Sequence, residues 1–361
     1  MRKRVWLSIP LVIIIVALAA YLTSGYLTAR KSIVIAVDEH DAFQSETASA
    51  IATGLIARGY TVQVRSLPVT AGKVAMVNDP NSDVTLALAS SSLGTDDFPN
   101  VVSLGTIAAL PLIPVVNASN AKDVKSIRDL KDHVVALDPP GSNRRELELE
   151  VLKLYGVAPE QIQERTFRQI EASDALVSGS IDAMFLATLD PTDALVAALA
   201  TGAVRIVPTP EAQAMAGRLG TEYQWTLPQG GINIARNVPS QSESIIVSAL
   251  RVIANVEMQD GAAYTIAQVL NDKFSQGTMF TSPGDFPWLD GVVPSHAAAT
   301  DYYTNGDIPW QFKILPNVIA DRFALLLLIG SIVLLIANLW GVFLPDAFDI
   351  WRDHVSPRLK A

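Results

Sequence analysis

Residues 133–145 read His133-Val-Val-Ala-Leu-Asp-Pro-Pro-Gly-Ser-Asn-Arg-Arg145. A short apolar run, His133–Leu137, is what a buried strand looks like. Gly141-Ser142 then opens a helix that reaches Tyr155 and stops at Gly156. The same unit recurs on both sides. Upstream, Ile33-Val-Ile-Ala-Val37 is a continuously apolar strand, followed by Ala48, Ile51, Ala52, Leu55 and Ile56 at helical spacing up to Gly59. Strand Tyr60–Val64, a helix near Lys73–Asn78, strand Val84–Ala87 and the loop Ala89–Gly94 complete a first series. A second begins after Leu112-Ile-Pro-Val-Val116, with a short helix at Ser126–Lys131. It continues through strands at Thr166-Phe167, Ile181–Leu186 and Val204–Val207, and helices Ala172–Ser178, Pro191–Thr201 and Glu211–Leu219. Strands alternating with helices point to a largely parallel α/β sheet. Tyr223–Ile234 is irregular, as a return crossing would be. Ser240-Gln-Ser-Glu243 has the form of a capping box and predicts a helix to about Val256. A further helix is predicted at Asp260–Asn271.

One α/β unit interrupted by another, with two crossings, predicts two lobes with a ligand cleft between them. Two sequential domains are the alternative. Length agrees with either, since 361 residues make about two domains at about 150 each. The absence of cysteine excludes disulfides, thiolate metal sites and a cysteine nucleophile, and four histidines argue against a multi-histidine metal centre. A net charge of −9 argues against binding nucleic acid.

Half of the residues are hydrophobic, and the mean hydropathy of +0.30 directs attention to membrane segments. Arg2-Lys3-Arg4 precedes an apolar run from Val5 to Leu22, so residues 1–31 are a signal anchor or a signal peptide. From Phe323 to Leu344 the chain carries no charge, enough at about 1.5 Å per residue to span a bilayer core of roughly 30 Å. A transmembrane helix is therefore expected over 322–345, with Tyr302, Tyr303 and Trp310 as an interfacial aromatic belt. Arg352, Arg358 and Lys360 place the tail, 346–361, in the cytoplasm. The region between the two segments then faces the periplasm or the cell exterior, on the inner membrane.

Ser126-Ile-Arg-Asp-Leu-Lys131, the strand at 133–137 and Gly141-Ser142 resemble the second lobe of type II periplasmic solute-binding proteins. Phe286-Pro287, Pro294-Ser-His296, Ala299, Tyr302-Tyr303, Gly306, Leu315-Pro316 and Asp321-Arg322 resemble the membrane-anchored branch of TAXI-type TRAP transporter solute-binding subunits. The resemblance implies an α/β, bilobed type II periplasmic-binding-protein fold flanked by N-terminal and C-terminal transmembrane helices. Lobe 1 would be 32–112 with 235–285, lobe 2 would be 113–234, and 286–321 a juxtamembrane segment. It also implies capture of a small solute for integral membrane permease subunits. A ligand-sensing or assembly protein using the same clamshell is the alternative.

Candidate ligand-binding residues emerge from their positions. Ser142, Asn143, Arg144 and Arg145 lie where a helix start leaves N–H groups and a partial positive charge, a setting for a carboxylate. Ser90, Ser91 and Ser92 come directly after a buried strand, and Thr188 comes after another. His40 and Asp41 lie after the first strand; acids there favour an amine on the ligand. The expected partner is a small carboxylate or amino-acid-like solute. Pro228-Gln229-Gly230-Gly231 is a candidate hinge. Ser90–Ser92 with His40 and Asp38 is the one conceivable nucleophilic set, and no G-x-S-x-G elbow accompanies it, so no enzyme activity, metal or cofactor is expected.

Overall fold

The computed structural model describes residues 32–39, 41–67, 70–90, 98–220, 222–278, 281–315, 320–332 and 335. The segment 1–31, His40, Ser91, Ser92 and the tail 346–361 lie outside them. The larger compact unit comprises Lys31–Met258 and Ala262–Asp307; Gln259–Gly261 and the described residues from Ile308 onward belong to a second.

Lobe 1 begins with β1 (Ser32–Asp38), α1 (Ala42–Ile56), β2 (Thr61–Leu67), α2 (Thr70–Asn78) and β3 (Leu86–Ser90). The long strand β4 (Val101–Asn117) then runs into lobe 2. There follow β5 (Val134–Leu137), α3 (Asn143–Leu154), β6 (Gln163–Thr166), α4 (Gln169–Ser178) and β7 (Ala183–Leu186). Next come α5 (Asp193–Thr201), β8 (Val204–Ile206), α6 (Ala212–Leu219) and β9 (Glu222–Leu227), and β10 (Glu243–Asn255) returns to lobe 1. After it come α7 (Asp260–Phe274), α8 (Ala297–Asn305) and α9 (Trp310–Ile314).

The strand order is β2-β1-β3-β10-β4 in lobe 1 and β6-β5-β7-β4-β8 in lobe 2. Each lobe thus has three parallel strands, then an antiparallel strand that arrives from the other lobe. β4 pairs with β10 up to Leu112 and with β7 from Ile113, so the change of sheet occurs within one strand. All 17 residues of β4 are buried, as a strand covered on both faces requires. Pro111 and Pro114 sit at this change of sheet, where a residue without an N–H weakens the ladder. The bilobed α/β layout expected from the sequence is therefore present, and the hydrophobic clusters divide accordingly. Val34, Ala36, Val74, Ala87 and Ile253 belong to lobe 1, and Leu137, Val151, Leu152, Phe185 and Met215 to lobe 2.

Four expectations need correction. Residues 243–255 form a strand, not a capped helix: Ile245-Ile246-Val247 and Val252-Ile253 are β-branched and buried between neighbouring strands. Residues 222–227, read as irregular, form β9 on the edge of β10. The chain crosses between lobes inside β4 and β10, whereas Gly230 and Gly231 occupy a turn beyond β9. Tyr302 and Tyr303 are not an interfacial belt; Tyr302 is buried, and the Tyr303 hydroxyl donates to the Leu104 carbonyl at 2.9 Å. Gly105 makes this contact possible, since a Cβ there would lie 2.9 Å from that hydroxyl and its φ is +143°. Residues 323–332 are helical, with Leu325, Leu327 and Leu328 more than half exposed. Among the described residues no helix is long and apolar enough to cross a membrane; residues 336–345 lie outside them.

The segment 286–296 packs along β4. Trp288 exchanges backbone hydrogen bonds with Thr106 at 2.7 and 2.9 Å, and Ser103 pairs with Pro294 and His296. Phe286 joins a cluster with Leu227, Ile245 and Val247, whereas Val293 joins the lobe 1 cluster. Asp290 on this segment forms a fully buried ion pair with Arg251 of β10 and accepts from the Thr106 hydroxyl at 2.8 Å. Breaking such a pair from one side strands a buried charge, which costs roughly 3–5 kcal/mol. Asp290→Asn should therefore lose about that much in urea denaturation, whereas Arg251→Met with Asp290→Leu should recover most of it.

Candidate functional site

In each lobe an aspartate ends or directly follows an apolar strand, Asp38 at the end of β1 and Asp138 just after β5. Both aspartates are buried. A residue of the following helix accepts the backbone N–H of each. Gln44 Oε1 takes that of Asp38 at 3.2 Å, and Glu148 Oε2 that of Asp138 at 2.9 Å. The two lobes thus present the same device to one another across a cleft. Lobe 1 contributes Asp38, Asp41 and Ser90 to its lining, lobe 2 contributes Asp138, Ser142 and Arg144, and Pro111 and Ser248 come from the crossing strands. The free volume is about 40 Å³, near that of one water molecule. Side chains from both lobes leave little enclosed space between them.

Two helix starts face it. Asp41 caps α1, with Oδ1 accepting the Gln44 N–H at 3.1 Å and Oδ2 the Gln44 Nε2 at 3.2 Å. Ser142 caps α3 by accepting the Arg145 N–H at 3.2 Å. An acid therefore offsets the positive end of α1, whereas α3 carries a neutral cap. Arg144 projects from α3 between the lobes. Its Nη1 lies 3.1 Å from Asp138 of its own lobe and its Nη2 lies 3.5 Å from Asp41 of the other. Burial opposes the charge on this guanidinium, but the surrounding acids, Asp138 and Asp41 foremost, together outweigh it and raise its pKa.

Asn143 also lines the cleft. Arg145 does not: its Nη2 reaches Glu164 at 2.8 Å and its Nη1 the Asp138 carbonyl at 3.1 Å. Adjacent helical residues point about 100° apart, so one arginine enters the cleft and the next leaves it. Thr188 accepts the Asp190 N–H at 3.1 Å in a turn outside the lining. The sequence pattern did not single out Lys73, Gln44, Asp138, Glu148 or Ser248. Asp138 shares with Asp38 the signal of an acid directly after an apolar strand; the others arrive from distant positions.

Behind the lining lie two buried ionisable groups. Burial, partly offset by Asp38 and Asp41, lowers the pKa of Lys73 to about 8. Burial and the neighbouring Asp138 carboxylate push the Glu148 carboxyl well above its ordinary range, which favours the neutral acid. Among the described residues no cluster of histidine and acid side chains has the form of a metal site.

The NMT1-like family profile matches residues 94–305, more than half of the chain. No curated protein matches the chain. Among solved structures, the chain is similar to the periplasmic aliphatic sulphonate-binding protein SsuA of Escherichia coli. Identity is 16% over 68% of this chain and 72% of that one, with a TM-score of 0.38. It is also similar to the effector-binding domain of a BenM variant, at 10% identity over 68% of this chain and 94% of that one, with a TM-score of 0.42. An ancestral arginine-binding protein bound to arginine is similar at 15% identity, over 67% of this chain and 92% of that one, with a TM-score of 0.35.

The two buried groups predict opposite pH slopes. Lys73 binds fewer protons folded than unfolded between about pH 8 and 10.5, so stability rises across that window. Glu148 retains its proton longer in the folded state, so its contribution is lost as pH rises from 4.5 through the folded pKa. Denaturation measured across pH should show Lys73→Met abolishing the alkaline rise and Glu148→Gln abolishing the loss that begins near pH 4.5.

Proposed function

We propose, from the premise that this chain belongs to the NMT1-like family, that it is a non-enzymatic solute-binding protein. Its two lobes close on a small amino-acid-like molecule. The observation that carries this reading is Arg144, a lobe 2 cation whose counter-ions come from both lobes. A ligand carboxylate fits the guanidinium fork and the uncapped first N–H groups of α3, beside Ser142 and Asn143. Once Arg144 turns to that carboxylate, the half-buried Asp41 keeps its Gln44 donors but loses the cation facing it from the other lobe, so a replacement cation there is favourable. An ammonium on the same ligand supplies it. A zwitterion therefore exchanges for the internal ion pair with charges matched, whereas a plain carboxylate leaves Asp41 without a facing cation. Asp38, Ser90 and Ser248 complete the polar wall.

The finer reading places this body outside the inner membrane, held by the apolar segments at residues 1–31 and 322–345. The solute would be delivered to the permease subunits of a TRAP-type transporter. The uninterrupted apolar sequence Phe323–Leu344 supports the anchor, and the resemblance of the C-terminal motifs supports the transporter class.

The test is calorimetric titration with L-amino acids and with analogues lacking the amine or the carboxylate. Both analogue series should bind much more weakly than a cognate amino acid. Arg144→Ala should weaken binding by about 100-fold, the scale of roughly 2–3 kcal/mol for losing a charge-assisted contact. Arg145→Ala should stay within about twofold, because its guanidinium pairs with Glu164 and does not enter the lining. Undiminished binding by the Arg144 variant would end the assignment.

A further inference from the structure

Lys73 is fully buried in lobe 1 and reaches the cleft through one side chain. Its Nζ donates to Gln44 Oε1 at 2.8 Å, and the same oxygen accepts the Asp38 N–H. The two ends of a glutamine amide are nearly identical in shape, so partners alone decide which end faces which way. Here a cation and a backbone N–H both point at one end. That end must be the oxygen, which leaves Nε2 to donate to Asp41 Oδ2. A flipped amide would set donors against Lys73 and the Asp38 N–H, and an acceptor against the Asp41 carboxylate. Both Asp41 oxygens are thereby held by Gln44, in the orientation in which Arg144 meets them from the other lobe.

We propose that Lys73 is a positioning residue: by fixing the Gln44 amide it holds Asp41 for Arg144. The buried side of lobe 1 thereby sets how readily the lobes close. Lys73, Gln44, Asp41, Arg144, Asp138 and Glu148 form one polar chain from the interior of one lobe to that of the other. Asp38 and Asp41 are the acids facing Lys73, and its charge balances the repulsion between them. The consequence for affinity rests on the solute site proposed above, but closure itself can be tested without any solute.

Because the chain has no cysteine, labels attach only at introduced ones. Exposed Ala57 on lobe 1 and exposed Glu160 on lobe 2 suit Ala57→Cys and Glu160→Cys in the full chain. Single-molecule energy transfer between them reports the closed-to-open ratio. Lys73→Met should lower that ratio by about tenfold, the effect of one charge-assisted hydrogen bond. Gln44→Glu, which keeps an oxygen for Lys73 and removes the donor to Asp41, should do the same. It decides the matter if the Lys73 variant does not fold. In an Asp41→Asn background Lys73→Met should change nothing, because the contact it positions is already gone. An undiminished effect of Lys73→Met in that background overturns the inference, as does a Gln44→Glu variant as closed as the parent. Ratios that respond as expected in a protein that binds no solute would uphold the inference and end the proposed function instead.

Discussion

The antiparallel pairing of β4 with β10 is the constraint on which the other features depend. Each of these strands completes the sheet of the lobe it does not begin in, so neither lobe has a finished sheet without the other's strand. Pairing between Val101–Leu112 and Ile246–Asn255, with register shifts at Leu250/Arg251 and Val252/Ile253, ties the two lobes together. Pro111 and Pro114, where the strand changes sheet, donate no hydrogen bond to the ladder. The segment carrying Trp288 and Asp290 covers β4 just beyond that point and ties it to β10 through Arg251. The walls of the cleft are strand ends and helix starts, which carry the polar groups.

Charge is the second organising feature, and it is arranged in series. Lys73, Asp41, Arg144 and Asp138 alternate in sign, with the Gln44 amide and the proton-retaining Glu148 as neutral links. Each buried ion is tolerable because its neighbour is close, and the series passes from one lobe to the other at a single contact, Arg144 with Asp41. That contact is also the longest in the chain, at 3.5 Å. The weakest link of the series therefore lies at the lobe boundary.

Much of this was legible in the residues. The alternation of strand and helix, the cap at Ser142 and the acid at Asp41 are local features, written within a few neighbouring positions. Ser142, Asn143, Arg144, Asp41 and Ser90 do come together in one cleft. The pattern Ser240-Gln-Ser-Glu243 misled because a capping box occupies four residues and carries no information about the segment beyond them. The β-branched run Ile245–Val247 was the opposing signal, and pairing with β3, β4 and β9 decided for it. Arg144 and Arg145 were equivalent on paper. Helix phase and the positions of Asp138 and Glu164 separated them.

By itself the sequence determined that strands and helices alternate, that a second α/β unit interrupts the first, and that a helix start rich in arginine belongs to the second. These properties depend on propensity, capping and periodicity, which act over a turn or two of chain. Only the tertiary structure decided that Lys73 stands behind Gln44, that Glu148 mirrors it in the other lobe, and that Tyr303 closes over Gly105. Such meetings depend on the sheet order and register of strands far apart in the chain, and no local pattern encodes which distant side chain will arrive opposite another.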